Sequence, residues 1–149
     1  MNPSEKKKVS LFLEGPIHPE FIAASIAKHQ AKTGIGAHEI FLGQIRADKR
    51  GTKTVEAIEF SAYREMADTA YQEFREQLFA RHSITCMHVY HSLGRVRAGE
   101  LNLFVFVSAE RRVAAMDACR ELVEWIKKEL PVWGKEVLSS AAGEWKVNT

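Results

Sequence analysis

Leu101–Trp133 reads LNLFVFVSAERRVAAMDACRELVEWIKKELPVW, and its two halves follow different periods. Leu101 to Val107 is almost wholly apolar and rich in Phe and Val, the composition of a strand covered on both faces of a sheet. After Ser108 the pattern changes. Ala115, Met116, Cys119, Val123 and Ile126 recur at three- and four-residue steps, the spacing of one helix face, while Arg111, Arg112, Arg120, Lys127 and Lys128 surround that face with charge. Pro131 has no N–H for the helical ladder, so the helix is expected to end near Leu130.

The same alternation of periods organises the flanks. Val9–Leu13 suits a short strand, stopped by Gly15-Pro16 before Pro19 opens a helix with Phe21, Ile22 and Ile26 on one side. Thr33 to Gly36 ends it. Ala37–Ile45 is expected to be a strand, Ala47–Thr54 an exposed loop or hairpin, and Val55–Phe60 its partner strand. Over Arg64–Arg81, Met66, Ala70, Phe74 and Leu78 recur every four residues and predict a helix with that face inward. Ile84–His91 is a further strand, and Leu93–Glu100 is expected to turn into the Leu101 strand. Runs of strands and helices without strict βαβα order favour an α+β fold with an antiparallel or mixed sheet and packed helices.

Composition narrows the function. The chain has 149 residues, 46% hydrophobic and 27% charged, which fits one domain over residues 1–149 and excludes a disordered chain. Twenty-one Lys and Arg against nineteen Asp and Glu leave a net charge of +2, too little for a dedicated nucleic-acid binder. No apolar run is long enough for a bilayer, and MNPSEKKKV lacks a signal-peptide core, so a cytoplasmic protein without membrane contact is expected. Cys86 and Cys119 lie in no CxxC or local Cys/His spacing and are expected to be buried thiols. His88 and His91, three apart on a strand, face opposite ways and cannot share an ion. Neither a metal nor a cofactor is expected.

Three stretches carry chemistry. Phe41–Arg46, FLGQIR, sets a glycine and an arginine at a strand exit; alone it fits a bulge with a solvated arginine. In Ser108–Arg112, SAERR, two guanidiniums meet a helix N-terminus, which suits a phosphate or simply two exposed side chains. In Lys127–Glu136, KKELPVWGKE, Lys127 borders the apolar stripe, either partly desolvated for proton transfer or snorkelling into water.

Taken in order, GAHEIFLGQIR, FSAYREMA, HSLGRVRAGE, VSAERR, AMDACREL, KKELPVWGKE and GEW resemble the catalytic large subunit of the molybdopterin synthases, over about Gly36 to Trp145. The resemblance implies an α/β-hammerhead type of fold. It also implies a homodimer that forms a heterotetramer with two small ubiquitin-like sulfur-carrier subunits. Each carrier's C-terminal Gly-Gly thiocarboxylate would enter a pocket and give sulfur to cyclic pyranopterin monophosphate, forming the dithiolene without a metal. Lys127 falls on the family's essential lysine. Phe41, Gln44, Ile45 and Arg46 fall on its substrate strand, and Arg111 and Arg112 on its His-Arg pair.

Two positions depart from the family pattern. Gly134 follows Trp133 where the family has a lysine, and Lys135 comes one later, so Lys135 is the candidate replacement beside Gly134 and Glu136. Arg111 stands for a histidine. The sequence stops at Thr149 soon after GEW, so no contact from a longer tail is expected. The competing expectations are a carrier-binding scaffold with weak or no catalysis, and a phosphate- or RNA-binding module built on the arginine pair.

Overall fold

The computed structural model describes residues 11–139. The expected strand residues Val9 and Ser10 and the GEW motif lie outside them. In chain order come β1 (Phe12–Glu14), α1 (Pro19–His29), β2 (Ala37–Gln44), β3 (Lys49–Arg50), β4 (Lys53–Ala62), α2 (Arg64–Arg81), β5 (Cys86–Arg97), β6 (Leu101–Ala109), α3 (Arg112–Glu129) and β7 (Val132–Leu138). This is an α+β fold. Its seven-stranded sheet runs β2-β6-β5-β4-β3, with β1 parallel to β5 and β7 antiparallel to β4.

β6 sits between β2 and β5, and Asn102 to Ala109 are all buried, as its uninterrupted apolar run demands. Its two-residue period divides the core. Leu103, Val105 and Val107 pack with Ala118, Cys119, Leu122 and Ile126 of α3 and with Leu78 of α2. Phe104 and Phe106 face the other way, against Ile17 and Ile22 of the α1 layer. Each fully buried phenyl ring contributes about 1.5–3 kcal/mol relative to exposure.

Two sequence expectations need correction. Met66 is 59% exposed and Met116 50% exposed, although both were placed on inner faces. A strict four-residue step drifts about 40° per repeat on a helix, so Met66 rotates off the stripe that Ala67, Tyr71, Phe74 and Leu78 form toward the core. Met116 lies on the outer edge of a stripe made by Ala115, Ala118, Cys119, Leu122 and Ile126.

The expected turn over Leu93–Glu100 is mostly strand. β5 continues to Arg97, because Leu93 and Val96 are buried while Arg95 and Arg97 face out. Gly94, at φ +83°, marks where β5 leaves β6 and begins to pair with β4. The turn is confined to Ala98–Glu100, with Gly99 at φ +91°. β7 is a strand on which the sequence pattern is silent. Its central GKE lacks apolar alternation, and the strand is set by backbone pairing to β4 rather than by a buried side-chain face.

Candidate active site

A cleft of about 610 Å³ opens where the exit of β2, the β3–β4 hairpin, β7 and the end of α3 meet. The β2 register shifts between Gly43 and Gln44, so the expected bulge is present. A Cβ on Gly43 would lie 3.0 Å from Asn102 Oδ1 and 3.1 Å from Leu103 Cβ, a close approach that a side chain would disturb. Beyond the bulge, Ile45 donates its N–H to Glu100 O and accepts from Gly99 N–H, which fixes the strand exit to the Ala98–Glu100 turn. Phe41, Gln44, Ile45 and Arg46 all line the cleft.

Its charges are arranged in a chain. Arg46 reaches both Asp48 oxygens, with Nε 3.2 Å from Oδ1 and Nη2 donating over 3.3 Å to Oδ2. Arg50 grips Glu136 of β7 in a fork, through Nε to Oε1 at 3.0 Å and Nη2 to Oε2 at 2.7 Å, and stands 3.7 Å from Asp48. That bidentate pair ties the hairpin to β7. Glu136 thus lines the cleft as a partner of Arg50, whose guanidinium it holds above its usual range.

Lys127 enters from α3. Ile126 beside it is buried, and one further residue turns about 100° around the helix, so Lys127 leaves the apolar stripe and is exposed in the cleft wall. Arg46, Arg50 and Lys127 are the cleft's cations, and only Lys127 has no carboxylate partner among the described residues. His91 stands behind it, buried, with Nδ1 2.8 Å from Ser92 O and its ring 5.1 Å from Phe60. Burial, the largest cause, pushes the imidazole below its ordinary value; the hydrogen bond to Ser92 O opposes this and the Lys127 charge adds to it.

Two groups of expected residues do not reach this cleft. Gly134 and Glu136 line it, but strand alternation turns Lys135 to the other face of β7. Gly134 itself is closely covered: a Cβ there would lie 2.5 Å from Ile58 Cγ2 and 3.1 Å from the Phe60 ring. Gly134→Ala is accordingly expected to lower stability by about 1–3 kcal/mol, as overpacking does, read as a lower urea midpoint at unchanged slope. Arg111 and Arg112 are exposed at the start of α3, and fifteen residues of helix put Arg112 about 22 Å from Lys127. Within one chain they cannot share a ligand with it.

Sequence reasoning missed Asp48, Arg50, Phe60, His91 and Trp133 as cleft residues. Arg46, Asp48 and Arg50 alternate along the chain, a signal visible in sequence, but the partner Glu136 lies 86 positions away. The cysteines add a grouping that sequence spacing does not show. Both thiols are buried as expected, yet Cys86 has metal-capable neighbours in His29 and His88. Cys86 and His88 are two apart on β5 and so share a face, and the fold adds His29 from α1.

The MoaE protein family matches residues 15–129, spanning every element from the end of β1 to the end of α3. The chain belongs to this family. A molybdopterin synthase catalytic subunit from Pyrococcus abyssi is 36% identical over 107 residues, 72% of each chain. One from Oryza sativa subsp. indica is also 36% identical, over 84% of this chain and 64% of its own length. The complex of subunits 1 and 2 of molybdopterin-converting factor from Helicobacter pylori contains a chain with TM-score 0.74 at 18% identity, covering 89% of both chains, a likeness of fold. No helix of this MoaE chain, among the described residues, is long and apolar enough to cross a membrane.

Proposed function

We propose that this chain is the catalytic subunit of a molybdopterin synthase, acting in the cytoplasm on cyclic pyranopterin monophosphate. The sulfur donor is the C-terminal thiocarboxylate of a small ubiquitin-like carrier. The observation that carries this reading is the placement of Lys127, the one cleft cation without a carboxylate partner among the described residues, opposite the Arg46–Asp48–Arg50–Glu136 chain.

A Gly-Gly tail has no side chains and fits an opening walled by Phe41, Phe60 and Ile126. Tyr63 and Trp133, 62% and 49% exposed with ring centroids 5.2 Å apart, offer an aromatic shelf for the carrier body near the mouth. The tail covers Lys127 as it enters and excludes water, strengthening the attraction between ammonium and thiocarboxylate. As sulfur bonds to a side-chain carbon of the pterin, that carbon's C–O bond breaks, and Lys127 stabilises the departing oxygen and supplies its proton. Water then adds to the acyl carbon of the resulting thioester, the acyl C–S bond breaks, the carrier leaves as a carboxylate and the sulfur stays on the pterin as a thiolate; a second thiocarboxylated carrier delivers the second sulfur in the same way.

The active unit in this reading is a homodimer with a carrier at each end. Arg111 and Arg112, too far from their own chain's cleft, then serve the phosphate in the cleft of the second copy. A scaffold that binds carrier without catalysis remains the second reading, favoured by Gly134 and by the outward Lys135. The purified chain, incubated with thiocarboxylated carrier and precursor, is expected to form dithiolene. Carrier binding without dithiolene would establish the scaffold instead.

A further inference from the structure

On the α1 side of the sheet, away from the cleft, the last turn of α1 meets the first residues of β5. His29, Cys86 and His88 place their donor atoms within 4.8 Å of one another. His29 is 9% and Cys86 6% exposed, His88 is half-buried, and the two imidazoles pack against each other and against Phe106.

The hydrogen bonds specify which atoms are free. His29 Nδ1 lies 2.8 Å from Ser25 O. A carbonyl only accepts, so Nδ1 carries the proton and Nε2 keeps a bare lone pair. That lone pair points at His88 Nε2, 3.1 Å away. A ring N–H anchored on a backbone carbonyl, with the other nitrogen presented inward, is the arrangement that orients a metal-binding imidazole. Lys32 Nζ adds an N–H to Cys86 Sγ at 3.1 Å, a contact a coordinated thiolate accepts as readily as a thiol.

We propose that His29, Cys86 and His88 form a zinc site, with a water in the fourth position. Zinc bonds of about 2.0–2.3 Å in a tetrahedron separate donors by distances that the observed 3.1 Å contact and 4.8 Å limit bracket. Small side-chain rotations complete the site. Binding releases the Cys86 thiol proton and moves the His88 proton from Nε2 to Nδ1. The ion would tie the end of α1 to β5 and act on stability. It is independent of the sulfur-transfer reading, because none of its ligands lines the cleft.

The test is titration of the metal-free full chain with cobalt(II) alone. One equivalent is expected to produce the d–d bands of a tetrahedral ion and a thiolate-to-cobalt charge-transfer band, both bleached by zinc. Cys86→Ser is expected to remove the charge-transfer band, and His88→Gln to weaken binding at least tenfold. Since these side chains are buried, X-ray absorption on zinc-loaded wild-type protein gives a readout that needs no variant: one sulfur and two imidazoles are expected. Absence of the cobalt bands in wild type, their persistence unchanged in Cys86→Ser, or a zinc shell without sulfur would overturn the site.

Discussion

Lys127→Ala is expected to reduce dithiolene formation by about 10²–10⁴-fold, the range for loss of a positioned proton-transfer group, while fold and carrier binding stay as in wild type. The separation follows from where the residue stands. Its side chain is exposed and makes no ion pair among the described residues, and such surface substitutions usually move stability by no more than about 0.5 kcal/mol. In the proposed complex the carrier would dock over the aromatic shelf and the cleft rim, so one missing ammonium leaves most of that contact. The predicted loss corresponds to about 3–5 kcal/mol of transition-state stabilisation at 1.36 kcal/mol per decade. Lys127→Arg is expected to recover only part, because a planar, permanently charged guanidinium does not exchange a proton and does not fill the ammonium's place. The measurements are single-turnover dithiolene formation, carrier affinity and thermal unfolding on the same preparations. Wild-type turnover by Lys127→Ala would remove the residue from the mechanism.

Much of this arrangement was legible before any coordinates. The α2 helix over Arg64–Arg81 and the β6 strand from Leu101 follow directly from their periods, and FLGQIR announced its bulge through one glycine. What the sequence misleads on or leaves silent shares a physical cause: the deciding partner is remote along the chain. β7 is a strand because β4 offers it backbone donors and acceptors, and nothing in GKE says so. Leu93–Glu100 looks like a turn for its Gly94 and Gly99, yet the buried Leu93 and Val96 keep β5 extended to Arg97. Lys135 shows the limit most sharply. Sequence proximity to Gly134 suggests it can take over a vacant role, whereas the two-residue period of a strand sends adjacent residues to opposite faces. Arg111 and Arg112 illustrate the converse, since a motif can be recognised correctly while its place relative to Lys127 depends on an α-helix between them.

That separation leads to the second large effect. The cleft of one chain lines up three cations against two carboxylates, while the proposed reaction brings in a thiocarboxylate and a phosphate. Two like charges about 4 Å apart repel by roughly 4 kcal/mol at an effective dielectric of 20, and Arg46 and Arg50 are already shared with Asp48 and Glu136. More positive charge is required, and Arg111 and Arg112 are exposed with no carboxylate partner among the described residues. If they act across a two-fold axis, each catalytic site draws Lys127 from one copy and the arginine pair from the other. Both Lys127→Ala and the Arg111→Ala/Arg112→Ala double variant are then nearly inactive as homodimers. A heterodimer purified through two different tags, one copy carrying each defect, keeps one complete site of two and is expected to show about half of wild-type turnover. The reciprocal heterodimer, wild type paired with a copy carrying all three substitutions, places one defect in each site and is expected to be nearly inactive. Sites built within single chains reverse both results, leaving the first heterodimer inactive and the second half active.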